Sequence, residues 1–270
     1  MLVYPHIDPV ALSLGPLKVH WYGLMYLAGF AAGYGLARWR AKRAGWSAEM
    51  VSDMIFYIAM GVIVGGRFGY VLFYGFDRLV SDPLWAIRVW EGGMSFHGGL
   101  LGVLVAMGLF ARQYKLNWFD VMDFVAPLVP PGIFFGRMGN FIGGELWGRP
   151  VVDQNYPLAM VFPHVDNLAR HPSQLYEAVL EGLLLFALLW WYSAKPRPRM
   201  AVGALFLTGY GVARFTVEFF RQPDADKGFI LFDWMTMGQI LTVPMILGGL
   251  VVLLVAYRNE RLNQKGGQLS

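Results

Sequence analysis

Three arginines of this chain lie in or beside stretches that are otherwise apolar enough to cross a bilayer. They are Arg67, Arg137 and Arg214. An arginine at the centre of a membrane span costs about 2.5–3.5 kcal/mol even on a lenient insertion scale, so it normally faces a polar cavity or a partner. A guanidinium is permanently charged and can bind phosphate through two parallel hydrogen bonds. The three arginines therefore indicate a site for an anion at membrane depth.

Five short polar motifs extend this pattern. They are HWYGLMY (20–26), GGMSFHGG (92–99), GRMGNFIGGELWGR (136–149), HPSQLYE (171–177) and YGVARFTVEFFRQPD (210–224). The second motif contains His97, and imidazole is the side chain best suited to exchange a proton near neutral pH. We therefore expect His97 to be a general base. The alternative is a histidine that is only hydrogen-bonded at a helix start.

The last motif has helical periodicity. Tyr210, Arg214, Glu218 and Arg221 fall within one narrow stripe when a helix advances about 100° per residue. Such a stripe indicates either the wall of a cavity or a ladder of ion pairs. Arg137 and Arg214 could accordingly be neutralised by Glu145 and Glu218 in purely structural pairs, and structural pairing is equally open for Arg67.

The composition identifies the class of protein. Of 270 residues, 56% are hydrophobic and only 15% are charged, against about 25% charged residues in a soluble domain. The mean hydropathy is +0.45. We predict an all-α polytopic membrane protein that forms a single transmembrane domain over residues 1–270. The chain has no cysteine, which excludes a disulfide framework, a thiolate nucleophile and a cysteine-ligated metal.

Apolar windows of about the spanning length of 20 residues predict about seven transmembrane helices. They are Val19–Ala37, Asp53–Tyr74, Gly93–Ala111, Phe119–Phe135, Ser173–Tyr192, Ala201–Phe220 and Met235–Tyr257. The prolines at 127, 130 and 131 predict a kink or break in the fourth. Residues 136–172 are then an external loop or small cap between the fourth and fifth spans.

Basic residues predict the orientation. Twelve of the 22 Lys and Arg residues follow the odd-numbered spans: Arg38, Arg40, Lys42, Arg43, Arg112, Lys115, Lys195, Arg197, Arg199, Arg258, Arg261 and Lys265. Lys and Arg accumulate on the cytoplasmic side, so the N-terminus is expected outside and the C-terminus in the cytoplasm. With this topology the polar residues of six helices share one layer, at the outer leaflet.

The five motifs occur in an order and spacing that closely resemble bacterial prolipoprotein diacylglyceryl transferases, from about residue 5 to residue 257. The Gly-Arg-x-Gly-Asn-Phe block at 136–141 is the most specific part. The chain departs from the family at Gly143, where an asparagine is usual. The resemblance implies an enzyme of the bacterial inner (cytoplasmic) membrane with its active site on the periplasmic side.

The implied reaction transfers diacylglycerol from phosphatidylglycerol to the lipobox cysteine of a preprolipoprotein signal peptide and releases glycerol phosphate. By resemblance, the catalytic residues are His97, Arg137, Arg214 and Tyr22. The implied substrate-binding residues are Arg137 (for phosphatidylglycerol), Asn140, Glu145, Gly148, Tyr210 and Arg214. Tyr22 could instead be an interfacial anchor beside Trp21, and Asn140 a turn residue.

No cofactor is expected. The sequence contains no phosphate-binding Gly-x4-Gly-Lys-Ser/Thr motif, no HExxH and no aspartate cluster that would hold Mg²⁺. We therefore predict no metal, no nucleotide and no nucleic acid partner. Two other functions remain open from the residues alone, a lipid or anion transporter and a non-catalytic scaffold. A transporter would carry polar residues through to both faces of the membrane, whereas here they concentrate in the outer layer.

Overall fold

The computed structural model describes residues 2–153, 156–223 and 228–266. Asp224, the last residue of the fifth motif, and Lys227 lie outside the described residues. The chain forms two compact units. One comprises the residues up to Gly33 together with those from Asp123 onwards, and the other comprises Tyr34–Met122. The prediction of one transmembrane domain over the whole chain stays a prediction.

Helices dominate both units. Their bounds are α1 Trp21–Ala44, α2 Ala48–Tyr74, α3 Phe76–Ser81, α4 Phe96–Gln113, α5 Trp118–Val125, α6 Val129–Ile142, α7 Ser173–Glu177, α8 Leu185–Tyr192, α9 Ala201–Val217 and α10 Met237–Gly266. A 3-10 turn, Ala126–Leu128, joins α5 to α6, and a π-helical segment, Ala178–Leu184, joins α7 to α8.

Among the described residues, five helical segments are long and apolar enough to cross a membrane. They are Ala48–Tyr74, Phe96–Gln113, Trp118–Ile142, Ser173–Tyr192 and Met237–Gln264, and Ala201–Val217 is a shorter apolar helix. The chain is therefore a mostly helical, multi-pass membrane protein. The count of seven spans and the orientation stay predictions.

The described chain also contains short strands, which the sequence analysis did not predict. Val10–Leu14 and Leu17–His20 form an antiparallel hairpin, β2–β3, that leads directly into α1. Gly15 at the turn has φ +60°, a conformation that glycine adopts without strain. Helix α1 consequently begins at Trp21, two residues after the predicted start of the first span, because Val19 and His20 belong to β3.

The α2–α4 contact organises the second unit. Gly61, Gly65 and Gly69 on α2 face Gly98 and Gly102 on α4, and a Cβ atom added at Gly102 would lie only 2.8 Å from the Cα atom of Gly65. Small residues four apart allow two membrane helices to bring their backbones together. The sequence analysis did not identify this interface.

The predicted break in the fourth span is confirmed, but the predicted end of that span is wrong. The 3-10 turn at Ala126–Leu128 contains Pro127 and interrupts the helix. Helix α6 then continues to Ile142, so Arg137 and Asn140 lie within a helix and not in a loop. Helix α6 also approaches α1 closely, since a Cβ atom added at Gly29 would meet the Cα atom of Gly132 at 3.2 Å.

The segment after α6 folds against the N-terminus. Strand β1 (Leu2–Val3) pairs with β4 (Met160–Val161), which pairs with β5 (Ala169–Arg170). The ring of Tyr4 stacks on Phe162, and the Tyr4 hydroxyl donates a hydrogen bond to the carbonyl of Ile142. Residues 136–142 thus belong to α6 and not to the loop after it, and that the following segment forms an external cap stays a prediction.

Helix α9 is fixed at its start by an acidic side chain from α5. The Asp123 carboxylate accepts hydrogen bonds from the backbone amides of Met200 and Gly203, both 2.7 Å long. A carboxylate at this position satisfies amides that have no partner within the helix and interacts favourably with the helix dipole. This contact fixes the beginning of the helix that carries Arg214.

We predict that Gly102→Ala lowers the stability of the protein by about 1–3 kcal/mol, as overpacking does in other cores. The added methyl group would press on the backbone of α2. Gly248→Ala is the matched control, since a Cβ there meets no heavy atom within 4 Å and alanine is the better helix former. Thermal unfolding in detergent should show a lower Tm for the first variant only. Equal Tm values for the two variants would contradict close α2–α4 packing.

Candidate active site

Three buried glutamates and two arginines form the polar centre of the first unit. Glu177 and Glu181 lie on either side of the start of the π-helical segment, and Glu218 follows the end of α9. All three are at most 1% exposed. Arg137 reaches them from α6 and Arg214 from α9. A π-helical segment inside a helix is frequently found at functional sites.

Arg214 is held tightly. Its Nη1 atom donates to Glu177 and its Nη2 atom donates to Glu218. The Oε1 atom of Glu181 lies 3.7 Å from the same Nη1 atom. Both terminal nitrogens of this guanidinium therefore bind carboxylates directly. The pairing of Arg214 with Glu218, one of the alternatives left open by the sequence, is confirmed.

Arg137 is held more loosely. Its Nη1 atom lies 3.3 Å from Glu177, and its Nη2 atom lies 3.3 Å from Glu181. Both separations exceed the 2.7–2.9 Å usual for a charge-assisted hydrogen bond. The side chain is also 19% exposed, against 13% for Arg214. Of these two guanidiniums, Arg137 has more donor capacity available for an incoming anion.

A second layer of contacts holds Glu218. Its Oε1 atom lies 3.2 Å from Arg221 Nη1, and its Oε2 atom accepts a 2.8 Å hydrogen bond from the Thr236 hydroxyl. The stripe predicted from helical periodicity is therefore an ion-pair ladder in the structure. With Arg221 included, three arginines face three glutamates, and the group is formally neutral when all six are ionised. Such balance is expected in a low-dielectric interior, where an unpaired charge is strongly destabilising.

Tyr22 and Tyr210 lie near this network. Tyr22 is exposed on α1, contacts the Tyr26 hydroxyl at 3.3 Å and lies within electrostatic range of Arg137 and Glu145. Tyr210 lies one helical turn before Arg214, and its ring stacks on Phe206. Its hydroxyl is within electrostatic range of both arginines. The structure thus brings Tyr22, Arg137, Tyr210 and Arg214 together within one unit.

Glu145 does not pair with Arg137, contrary to the structural alternative considered above. Its side chain is exposed, and its backbone carbonyl accepts a hydrogen bond from the Gln174 amide. The partners of Arg137 come instead from the following helix. Asn140 lies three residues after Arg137 in α6, and its carbonyl accepts the Glu145 amide at 2.9 Å. No hydrogen bond from the Asn140 side chain occurs within the described part of the chain.

Gly148 has a packing role. Its amide donates to the carbonyl of His171 at 2.9 Å, and a Cβ atom there would approach the carbonyl oxygen of Phe220 to 2.6 Å. Gly143, the position that departs from the family, has ordinary helical dihedrals with φ −75°. An added Cβ at 143 would meet neighbours at 3.4 Å or more, so the backbone does not require glycine there.

His97 belongs to the other unit. It lies in the first turn of α4, where Ser95 caps the helix by accepting a hydrogen bond from the Gly98 amide at 3.2 Å. The imidazole is exposed and contacts the ring of Phe96. Its role as a general base stays a prediction. The neighbouring Gly98 packs on α2, where an added Cβ atom would meet the carbonyl oxygen of Gly65 at 2.4 Å.

Several residues of this region were missed from sequence or given no role. Glu177 was recognised only as polar, and Glu181 was not singled out, although a pair of acids four residues apart in an apolar span was a signal. Arg149 and Arg170 were also missed. Arg149 donates to the carbonyls of Glu218 and Arg221, and the buried Arg170 donates to the carbonyl of Gly148.

The surroundings of the site add one titratable group. His171 lies just before α7, within 3.3 Å of the Tyr176 hydroxyl and in ring contact with Tyr156 and Phe220. Burial lowers the pKa of His171, which favours a neutral imidazole. No group of three residues suited to hold a metal ion occurs among the residues that the structure describes.

Known bacterial proteins are similar to this chain over nearly its whole length. Residues 9–255 match the family model for prolipoprotein diacylglyceryl transferase. A phosphatidylglycerol–prolipoprotein diacylglyceryl transferase from Acinetobacter baylyi is 65% identical over 262 residues, which cover 96% of each protein. Relatives of the same name from Acinetobacter baumannii and Psychrobacter arcticus are 64% and 56% identical, again over 96% of each protein.

We predict that Glu177→Gln destabilises the protein by about 3–5 kcal/mol, the usual effect of removing one partner from a buried ion pair. Glu177 contacts both Arg137 and Arg214, so its neutralisation leaves a net positive charge in the interior. Glu145→Gln removes the same charge from an exposed position and should change stability by less than about 0.5 kcal/mol. Reversible unfolding in detergent micelles measures both, and a Glu177 variant as stable as the Glu145 variant would refute the network.

The cap should loosen in acid. Arg170 donates two hydrogen bonds to Asp166, which lowers the pKa of that carboxyl. A carboxyl with a lower pKa in the folded state contributes stability above its unfolded pKa, and the contribution is lost as pH falls through the folded value. The Leu168 amide donates to Asp166, so its hydrogen-exchange protection factor should fall in acid. In Asp166→Ala, which removes the acceptor oxygens, protection should be low at every pH, and a profile like that of the wild type would contradict this account.

Proposed function

The chain belongs to the prolipoprotein diacylglyceryl transferase family, and we propose that it transfers the diacylglyceryl group of phosphatidylglycerol to the thiol of a lipobox cysteine. The acceptor is the signal peptide of a preprolipoprotein, and glycerol phosphate is released. This is the first step of lipoprotein maturation. The observation that carries the proposal is the unequal pairing of the two arginines in the buried network.

Arg137 is the proposed binding site for the lipid phosphate. Its nitrogens lie 3.3 Å from Glu177 and Glu181, so a phosphodiester can compete for them with shorter, charge-assisted bonds. Arg214 is proposed to be the second arginine that binds substrate and takes part in catalysis. Because Glu177 contacts both guanidiniums, binding at Arg137 alters the electrostatics of Arg214.

The reaction explains why a positively charged site is useful. The thiolate sulfur attacks the glycerol methylene carbon, the new C–S bond forms and the C–O bond to phosphate breaks. The phosphodiester carries one negative charge, whereas the glycerol phosphate that leaves carries about −1.5 to −2 at neutral pH. Charge therefore grows on the phosphate during the reaction. A preorganised guanidinium stabilises that transition state more than the ground state.

The thiol also requires activation, because a free cysteine has a pKa of about 8.5 and is mostly protonated at neutral pH. We assign His97 as the base that takes this proton. Its imidazole is exposed at the start of α4, where a peptide can reach it. The thiol proton is transferred to the imidazole as the sulfur attacks, so the step is balanced in both charge and atoms.

The remaining contacts to substrate are assigned by motif and by proximity. Tyr22 and Asn140 are proposed to donate to phosphate or ester oxygens, and Tyr210 to orient the lipid beside Arg214. Glu145 is proposed to orient substrate at the exposed edge of the network. Gly148 contributes by holding the backbone beside His171 and Phe220.

We further propose that the protein resides in the bacterial cytoplasmic membrane with this site on the periplasmic side. The asymmetric distribution of basic residues supports that orientation. The lipid then enters laterally between helices, and the signal peptide arrives as an apolar helix. Labelling of single introduced cysteines from either side of the membrane tests the orientation directly.

The test of the reaction is transfer of labelled diacylglycerol from phosphatidylglycerol to a lipobox peptide in detergent. Arg137→Ala should reduce kcat by about 100-fold or more, as removal of one preorganised charge donor does. Arg137→Lys should retain part of the rate because it keeps the charge but loses the bidentate fork. Arg78→Ala, which removes a half-exposed arginine from a surface ion pair, should transfer at the wild-type rate.

A peptide with Ser in place of the lipobox Cys should accept no lipid. Folded wild-type protein that binds phosphatidylglycerol but transfers nothing to the Cys peptide would refute the enzyme assignment and favour a lipid transporter.

A further inference from the structure

Arg67 is a buried cation of the second unit whose contacts are to backbone carbonyls. It lies in α2 and is 3% exposed. Its Nε atom donates to the carbonyl of Ala86 at 2.9 Å, its Nη2 atom donates to Trp85, and its Nη1 atom donates to Gly92 and, at 3.3 Å, to Gly93. No carboxylate pairs with it among the described residues. The side chain therefore does not belong to an ion-pair network like that of Arg137.

Two guanidiniums lie within cation–π distance of the ring of Trp85. Arg67 stacks on it with its Cζ atom 4.5 Å from the ring centroid, and the Cζ atom of Arg78 lies at 4.6 Å. Cation–π contacts of this kind partly replace the hydration that a buried guanidinium loses. Trp85 itself is buried, so its indole packs against both arginine side chains.

The carbonyls bound by Arg67 lead directly to the start of α4. Gly92 and Gly93 both have φ +77°, a conformation that few other residues adopt. Two residues later the Ser95 amide donates to the carbonyl of Gly66, the neighbour of Arg67, at 2.9 Å. Residues 66 and 67 thus hold the backbone at Gly92, Gly93 and Ser95, and His97 follows two residues after Ser95.

The glycine contacts of α4 do not by themselves fix His97. Gly98 and Gly102 set the separation of α4 from α2, but the direction in which the first turn presents its side chains depends on where the preceding chain enters the helix. The left-handed glycines allow many conformations when they are unrestrained, since glycine loses more backbone freedom on folding than any other residue. The hydrogen bonds from Arg67 select one of these conformations.

We infer that Arg67 is a positioning residue: by holding the carbonyls of Gly92 and Gly93, it fixes the entry of the chain into α4 and hence the place of His97. The inference rests on the proposed function, in which His97 is the base for the acceptor thiol. Arg67 itself contacts no substrate in this account. Its loss should therefore lower kcat through His97 and leave the KM for phosphatidylglycerol nearly unchanged.

The kinetic test compares Arg67→Lys and Arg67→Met with Arg78→Met. The control removes the other cation on Trp85 and leaves the carbonyl contacts intact. We expect kcat to fall by roughly 100-fold in Arg67→Met, the effect of misplacing a catalytic group by about 1 Å, with a smaller loss in Arg67→Lys and none in Arg78→Met. In a His97→Ala background the Arg67 substitutions should cause no further loss. If an Arg67 substitution lowered kcat in the His97→Ala background by the same factor as in the wild type, the inference would be overturned.

A structural readout separates positioning from general destabilisation. The natural chain has no cysteine, so His97→Cys provides a unique site for a nitroxide spin label. Arg67→Met should increase the mobility of the label at position 97 and leave a label at Leu109→Cys, on the same helix, unchanged. Equal loosening at both positions would show a purely structural role, and no change at either would show that Arg67 does not hold the helix start. Either result overturns the inference.

These outcomes are distinct from a failure of the proposed function. If wild type transfers no lipid, the reaction is wrong, whatever the spin labels report. If wild type transfers lipid and His97→Ala does so equally well, the reaction stands and both the base assignment and the role of Arg67 fall.

Discussion

A charge buried among apolar helices has to be neutralised where it lies, because water is not available to do so. In the first unit this constraint is met by Arg137, Arg214 and Arg221 opposite Glu177, Glu181 and Glu218. Helices α6, α7 and α9 must all bring their polar side chains to one point. Buried ion pairs of this kind add little net stability compared with apolar packing, but removal of one partner strongly destabilises the folded protein. The network therefore specifies how these helices pack together.

The same network explains how a structural arrangement can also serve chemistry. A guanidinium bound directly by two carboxylates, as at Arg214, has fewer donors free for a substrate than one held at 3.3 Å by two carboxylates, as at Arg137. An anionic lipid headgroup can enter such a network because it substitutes for existing carboxylate contacts. In the proposed mechanism, the buried glutamates orient the arginines until the substrate binds.

Local patterns predicted much of this architecture. The limits of the fifth span, Ser173–Tyr192, agree with the structure. The stripe of Tyr210, Arg214 and Glu218 along α9 and its C-cap agrees as well, because both predictions depend on composition and periodicity within one helix. The predicted end of the fourth span was wrong because the polarity of residues 136–140 indicated a loop. In the structure these residues are helical, and Arg137 is paired with Glu177 and Glu181 from a later part of the chain. Which side chains pair between helices depends on the tertiary structure. The pairing of Glu181 with Arg137 could therefore not be predicted from the sequence around either residue.

Other features were accessible and were missed. The spacing of Gly61, Gly65 and Gly69 follows the small-residue pattern that brings membrane helices together. The Gly15-Pro16 pair between two short apolar runs is typical of a turn, and it predicts the hairpin before α1. Arg67 could not have been understood from sequence, because its partners are carbonyl groups, which every residue has.

The most direct measurement of the central claim is the distance between the lipid phosphorus and the guanidinium nitrogens of Arg137. Dipolar recoupling between ³¹P of phosphatidylglycerol and ¹⁵N-labelled arginine, with the protein in bilayers, reports contacts of about 4 Å, the separation set by a guanidinium–phosphate hydrogen bond. We expect a coupling that is lost in Arg137→Lys and retained in Arg214→Lys. A coupling that survives in Arg137→Lys and disappears in Arg214→Lys would contradict the account.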